Sequence, residues 1–228
     1  MKGYTILFEN DDILVLDKAA GLAVQGGAGV GVSLDRLLEA ARNPRPLLVH
    51  RLDRDTSGVM ITAKSREAAS RLAAAWKRRD AAGGVSKYYL AVCAGNPGAA
   101  GVIDTDLAVH GRTRNAETRW RRLSSHALVE YAPPGASAGA YAVLEIEPGT
   151  GRLHQIRRHL AGHGWPILGD GKYGDFALNK RLRQSRSLRN LLLHAARLVI
   201  GGGALGYPLD ISAPLPPWFV PWVHPGEL

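Results

Sequence analysis

The sequence predicts a mixed α+β fold, dominated by strands and carrying a few helices. Three observations point to it. Residues 4–18, YTILFENDDILVLDK, set two apolar runs on either side of an Asn-Asp-Asp turn, a β-hairpin signal. Residues 86–95, SKYYLAVCAG, alternate as a strand, with Lys87 and Tyr89 on one face and Tyr88, Leu90 and Val92 on the other. SREAASRLAAAWKRR, by contrast, gathers Ala and Leu on one side, as a helix does. No repeat, low-complexity block or clean linker interrupts the chain, so residues 1–228 are expected to form one domain.

The elements follow in order. After the hairpin, the glycine-rich GGAGVGVS lacks the Gly-Lys-Ser/Thr ending of a nucleotide-binding loop and is expected to be a connection. SLDRLLEAAR then reads as a helix with Ser33 at its N-cap. LLVHRLD and GVMITAKS are extended, with an Asp-Thr-Ser-Gly turn between them. The helix over residues 65–79 ends in Lys77, Arg78 and Arg79, cations that suit either the helix dipole or an RNA backbone. Residues 96–142 read as strands and loops, and YAVLEIEPGTG as a further strand ending in a turn. RLHQIRRHLAGHG is a helix closed by Gly164, NLLLHAARLVI a strand, and APLPPWFVPWVHPG an extended wrap over the surface.

Composition narrows the function. Lys and Arg number 29 against 20 Asp and Glu, a formal net charge of +9. Such an excess favours a polyanionic partner, nucleic acid before an anionic membrane surface; a merely solubilising surface is the plainer reading. Cys93 is the single cysteine, which excludes an internal disulfide or a cysteine-based metal cluster and suits a small buried side chain. The first dozen residues lack the apolar core of a signal peptide, and no apolar run approaches the roughly 18 residues of a membrane span. These features predict a cytoplasmic protein without a membrane partner.

Three histidines in HQIRRHLAGH invite a metal, but on a helix His154 lies about 140° round from His159, and no His-Glu-x-x-His pattern is present. No metal is expected. Ser57 sits in no Gly-x-Ser-x-Gly elbow, so serine hydrolysis is not supported. The remaining constellation is HRLDRDTSG, residues 50–58, where Asp53 and Asp55 stand among basic side chains just before an apolar run. Asp53 can be a salt-bridged carboxylate and Asp55 a turn cap. A strand end beside a turn is equally where a scaffold presents a reactive group.

LLVHRLDRDTSGVMITAKS resembles the His-Arg-Leu-Asp-x-x-Thr-Ser-Gly signature of the RluA-type RNA pseudouridine synthases. FENDDILVLDKAAGLAV resembles that family's opening hairpin and Lys-Pro-x-Gly turn, with Ala19 where proline is usual. SKYYLAVCAG is similar to its Lys-x-Tyr strand, and PGTGRLHQIRRHLAGHGWPILGDGKYG to its Thr-Gly-Arg-x-His-Gln-Ile-Arg segment with the Gly-Asp-x-x-Tyr-Gly that follows. LLLHAARL near the end also fits. The motifs occur in the family's order over nearly the whole chain, and VQGGAGVGVSLDRLL leans toward the branch acting on large-subunit ribosomal RNA. Many relatives carry a small N-terminal RNA-binding domain, for which this chain is expected to have no room.

The resemblance implies one mixed, mainly antiparallel sheet with peripheral helices and a central cleft. It also implies isomerisation of uridine to pseudouridine in a base flipped out of its stack. Atoms are neither gained nor lost in that reaction, so no cofactor is implied. The Leu-Asp carboxylate, here Asp53, takes the nucleophilic or acid-base role and needs orientation more than activation. Arg157 is the arginine that pairs with it, and Tyr89 the ring that packs on the target base. Arg51, Leu52, Thr56, Arg152, His154, Gln155, Ile156 and Leu193 are the expected substrate-binding residues, Ile156 or Leu193 forming an apolar floor. The expected partner is RNA, large-subunit ribosomal RNA with transfer RNA as the other candidate, and the expected state is a monomer. Lys77–Arg79, Arg112–Arg122 and NKRLRQSRSLRN would track the phosphates. Two other readings of the same residues are a non-catalytic ribosome-assembly factor and an N-glycosidase that releases free uracil.

Overall fold

The Asn-Asp-Asp turn forms as the sequence predicts. In the computed structural model, which describes residues 3–27, 29, 31–78, 82–109, 111–128, 139–224 and 226, strand β1 (Tyr4–Glu9) pairs antiparallel with β2 (Ile13–Lys18). Asn10 closes the turn: its Oδ1 accepts from the backbone N–H groups of Asp12 and Ile13 at 3.0 and 2.9 Å. Arg79 and His110 lie outside the described residues.

The chain divides into two compact units, one of Met1–Lys87 with Ala195–Pro214, the other of Tyr88–His194 with Leu215–Leu228. In the first, β2 pairs antiparallel with β4 (Ser57–Ala63), and the short β3 (Leu47–Leu48) pairs with β4 in turn. Every residue of β4 is buried, which is why this stretch reads as a continuous apolar run instead of an alternating one. Helix α1 (Leu34–Ala41) buries Leu34 and Leu38, one turn apart. Ser33 stands at its N-cap but makes no capping bond, its hydroxyl donating to Asp35 instead. Helix α2 (Arg66–Ala75) is capped by Ser65, which accepts from Ala68 N–H, and buries Ala68, Leu72 and Ala75.

Strand β5 (Val85–Ala94) enters the second unit, where β10 (Gly139–Pro148) pairs antiparallel with it and with β9 (Glu117–Leu128). Strand β6 (Ala100–Asp104) pairs antiparallel with β9, and β7 (Leu107–Val109) and β8 (Arg112–Arg114) form a separate short ribbon. Helix α3 (Gln155–Gly162) ends as expected at Gly164, whose φ of +77° only glycine adopts readily. Cys93 is fully buried in β5, and burial pushes its thiol up to about 12. Strand β11 (Leu193–Ile200) leads to helix α5 (Gly202–Leu205) and β12 (Leu209–Ser212), which pairs antiparallel with β11. The α+β class thus stands as predicted, and among the described residues no helix is long and apolar enough to cross a membrane.

Two elements differ from the sequence reading. NKRLRQSRSLRN is not only a basic run: its first half belongs to helix α4 (Phe176–Ser185), capped by Asp175, whose Oδ1 accepts from Leu178 N–H at 2.8 Å. The proline-rich tail is not a surface wrap. It contains a 3-10 turn (Val220–Trp222) that sinks Phe219 and Trp222 into the second unit, Trp222 meeting Tyr141 edge-on at 5.4 Å. Large aromatic area outweighs the exposure expected of a polyproline stretch.

Candidate active site

Asp53 lies in the loop between β3 and β4. A tight turn holds it, the N–H of Thr56 donating to the carbonyl of Asp53 at 3.2 Å. Leu52 and Thr56 are buried on either side, Asp53 is half-buried, and Arg51 points outward with Nη1 3.4 Å from Gln25 Oε1. Arg54 and Asp55 pair with each other at the surface, so Asp55 serves its local turn and its neighbour. Gly58 fixes where the loop rejoins the sheet. With φ +114°, any Cβ there would stand 2.2 Å from the Ala195 carbonyl oxygen.

Beneath this loop lies a residue that the sequence reading passed over. Lys18, 0 % exposed, donates to the carbonyls of Ala19, Leu22 and Arg54 at 2.9, 2.8 and 3.0 Å. Its three protons thereby staple the Lys-Ala-Ala-Gly turn to the Asp53 loop. Burial pulls its pKa down to about 8, against the pull of Asp55, Asp53 and Asp17. His50, first residue of the motif, accepts from Ile61 N–H through Nε2 at 3.0 Å and stacks on Trp76 with centroids 4.8 Å apart. Burial, helped by Lys87, lowers its pKa to about 3, so it is neutral with its proton on Nδ1.

In the second unit, α3 begins at His154, which adopts φ +53° and places Nδ1 3.0 Å from the Tyr173 hydroxyl. Gln155 is fully committed. Its Oε1 accepts from Thr150 Oγ1 and Arg152 N–H, and its Nε2 donates to the Glu117 carbonyl and Thr118 Oγ1. Thr118 then faces His159 Nδ1 at 2.9 Å, and His159 Nε2 meets the Thr105 carbonyl at 2.9 Å. A carbonyl can only accept, so His159 carries its proton on Nε2 and accepts a hydrogen bond from the Thr118 hydroxyl at Nδ1. His163 Nδ1 sits 3.0 Å from the His159 carbonyl. The histidines of this helix are thus tied to protein hydrogen bonds.

Arg157 donates from Nε and Nη2 to both carboxylate oxygens of Asp170, at 2.8 and 2.7 Å, with the Tyr173 ring 5.2 Å from its guanidinium carbon. Asp170 Oδ1 also accepts from the N–H groups of Lys172 and Tyr173. Burial alone would raise the Asp170 carboxyl, but these donors outweigh it and hold the group below the usual carboxylate range. Ile156 and Leu193 are buried, as is Tyr89, which stands opposite Ile146 in the β5–β10 ladder. Arg152 is exposed, its Nε on the Asn115 carbonyl.

The structure gathers Arg51, Leu52, Asp53 and Thr56 on one loop of the first unit. It gathers Arg152, His154, Gln155, Ile156 and Arg157 at the start of α3 in the second, where Tyr89 and Leu193 are also found. Sequence reasoning missed Lys18 and Asp170. Both had a signal: a lysine closing a strand that opens with four apolar residues, and an aspartate between two glycines. Of the expected basic segments, Arg119 and Arg121 are held by Glu117 and Glu145, while Lys77 and Arg78 are exposed past the end of α2.

The architecture is shared with solved structures. Human RNA Pseudouridylate Synthase Domain Containing 4 superposes with a TM-score of 0.72 at 26% identity, covering 94% of this chain and 89% of that one. Human RNA Pseudouridylate Synthase Domain Containing 1 gives 0.74 at 23% identity, covering 98% and 87%, a likeness of fold. The family model described as RNA pseudouridylate synthase matches residues 12–162, and the chain belongs to this family. Curated relatives include Ribosomal large subunit pseudouridine synthase C of Vibrio vulnificus (strain CMCP6), 33% identical over 222 residues, covering 92% of this chain and 65% of that protein. Ribosomal large subunit pseudouridine synthase D of Xanthomonas campestris pv. campestris is 36% identical over 223 residues, covering 92% and 66%. The chain therefore spans about two thirds of the length of these relatives.

Proposed function

We propose that this protein isomerises uridine to pseudouridine in structured RNA, with large-subunit ribosomal RNA as the first substrate class. The observation that carries the reading is the Asp53 loop. Its family signature is complete, and its backbone is fixed by the Thr56 turn bond and by buried Lys18, which donates to the Arg54 carbonyl in the loop and to Ala19 and Leu22 in the neighbouring turn. A loop built this rigidly supports an orientation role for the carboxylate it carries. The names of the curated relatives supply the ribosomal RNA substrate class.

In this reading Asp53 is the catalytic carboxylate, acting at the sugar or base of a flipped uridine as the N1–C1′ bond breaks and the C5–C1′ bond forms. Tyr89 packs on the uracil, a contact worth roughly 1–3 kcal/mol. Arg157, its plane set by Asp170, is the arginine of the family motif and supplies a cation fixed in orientation. The detached base must be kept from water, otherwise an abasic site results; Ile156 and Leu193 supply apolar surface for that purpose. The protein acts as a monomer in the cytoplasm.

The test is incubation of the protein with uridine-containing ribosomal RNA, followed by carbodiimide primer-extension mapping. Wild type introduces new stops at defined uridines and Asp53→Ala introduces none. Identical maps for the two proteins overturn the reading in favour of a non-catalytic assembly factor, and release of free uracil overturns it in favour of a glycosidase.

A further inference from the structure

Helix α4 presents two faces. Leu178 and Leu182, one turn apart, are buried, whereas Phe176, Lys180 and Arg183 follow one another at intervals of four and three residues along an exposed stripe. Beside this stripe lies a cavity of about 180 Å³, to which Arg189 contributes a third cation and Asn179 and the glycines flanking Asp170 contribute polar lining. Phe176 stands at its edge, 63 % exposed.

Two features set this cavity apart from an ordinary solvated face. Lys180, Arg183 and Arg189 have no ion-pair partner among the described residues, unlike Arg119, Arg121 and Arg197, each of which holds a carboxylate. Like charges one turn apart repel, so an anion between Lys180 and Arg183 relieves that repulsion. The floor is rigid as well. Asn179 Oδ1 accepts from Gly169 N–H at 2.8 Å and its Nδ2 donates to the Asp170 carbonyl at 3.0 Å. A Cβ on Gly169 would meet the Asn190 oxygen at 2.0 Å. Cations over a concave polar floor, with a flat apolar ring at the rim, match the chemistry of a nucleotide: charge for the phosphate and a face for the base.

We propose that the α4 cavity seats a phosphodiester of a bound RNA strand, with Lys180, Arg183 and Arg189 on the phosphate and Phe176 against the adjoining base. The site rests on the reading of RNA as this protein's partner. It differs from the Asp53 loop in kind, because it grips backbone and any base, and so adds affinity without selecting a target uridine. Asn179 links it to the loop that carries Asp170, the partner of Arg157, so a strand seated here also braces that ion pair.

The experiment measures equilibrium binding of wild type, Lys180→Gln/Arg183→Gln and Phe176→Ala to a labelled ribosomal RNA fragment, over a range of salt concentrations. Losing two phosphate contacts on a single strand makes the slope of log K against log salt shallower by about 1.4, which is about 25-fold in affinity at 0.1 M salt relative to 1 M. Phe176→Ala is expected to bind about tenfold more weakly with the slope unchanged. Wild-type affinity and slope in both α4 variants overturn the proposal, as does a wild-type protein that binds no RNA. Inorganic phosphate that binds the cavity at constant ionic strength as tightly as the RNA does assigns it to a free anion and likewise overturns the proposal. If wild type binds with the expected dependence on α4 yet leaves uridine unmodified, the isomerase reading falls and this site stands.

Discussion

Arg157 and Asp170 form a two-pronged ion pair that is almost wholly removed from water, 5 % and 1 % exposed, with bonds of 2.8 and 2.7 Å. Two of the three guanidinium nitrogens are therefore committed to one carboxylate, and the plane of the guanidinium is set by it. Breaking such a pair from one side leaves an uncompensated buried charge, which costs about 3–5 kcal/mol. Asp170→Asn should lose stability on this scale in urea unfolding and also lose pseudouridine formation. A change below 1 kcal/mol would show that Arg157 finds a substitute anion.

Lys18 predicts a divergence between activity and stability above pH 8. Its folded pKa, about 8, lies below the ordinary lysine value of 10.5, so between these values the unfolded chain holds a proton that the folded one has released. Folding stability contributed by this group therefore rises with pH across the window. The neutral amine meanwhile lacks one of the three donors that tie Ala19, Leu22 and Arg54 together. Turnover should fall from about pH 8 upward without a matching fall in melting temperature, and Lys18→Met should be inactive throughout. Parallel loss of activity and melting temperature in wild type would refute this account.

His50 predicts acid sensitivity. Its folded pKa of about 3 lies below the ordinary 6.5, so the unfolded chain takes up a proton that the folded chain refuses. Stability should decline as pH falls through this interval, by about 1.4 kcal/mol per pH unit at most from one proton. Denaturant unfolding of wild type and His50→Gln between pH 6.5 and 4 measures the difference. Equal slopes for the two proteins would remove His50 as the cause.

Thr118 predicts a network effect. Its hydroxyl accepts from Gln155 and donates to His159, so Thr118→Val preserves shape while leaving buried polar groups on both sides unpaired. The expected cost is about 1–3 kcal/mol. A double-mutant cycle with His159→Phe should recover part of it, whereas strict additivity would mean that the two side chains do not communicate.

Much of this molecule was legible before any coordinates. The first hairpin announces itself through Asn10 and the apolar runs beside it, and the Asp53 loop through a nine-residue signature. Local chemistry dictates both. Helix α4 escaped because its buried face is only two leucines, Leu178 and Leu182, within a run whose charges drown the period. The Asp175 cap was the available clue. The tail misled because its prolines favour extended chain, while the decision belonged to Phe219 and Trp222, whose burial depends on distant partners such as Tyr141. Asp170 and Lys18 were hidden for a related reason. Arg157 for the first, and the carbonyls of Leu22 and Arg54 for the second, are met only after folding, and spacing alone carries no trace of them.

The close approach of Gly58 to Ala195 has a consequence for the order of events during synthesis. The seat of the Asp53 segment is completed by a residue made long after it, so a ribosome-bound nascent chain that ends short of position 195 carries Asp53 on an unfinished support.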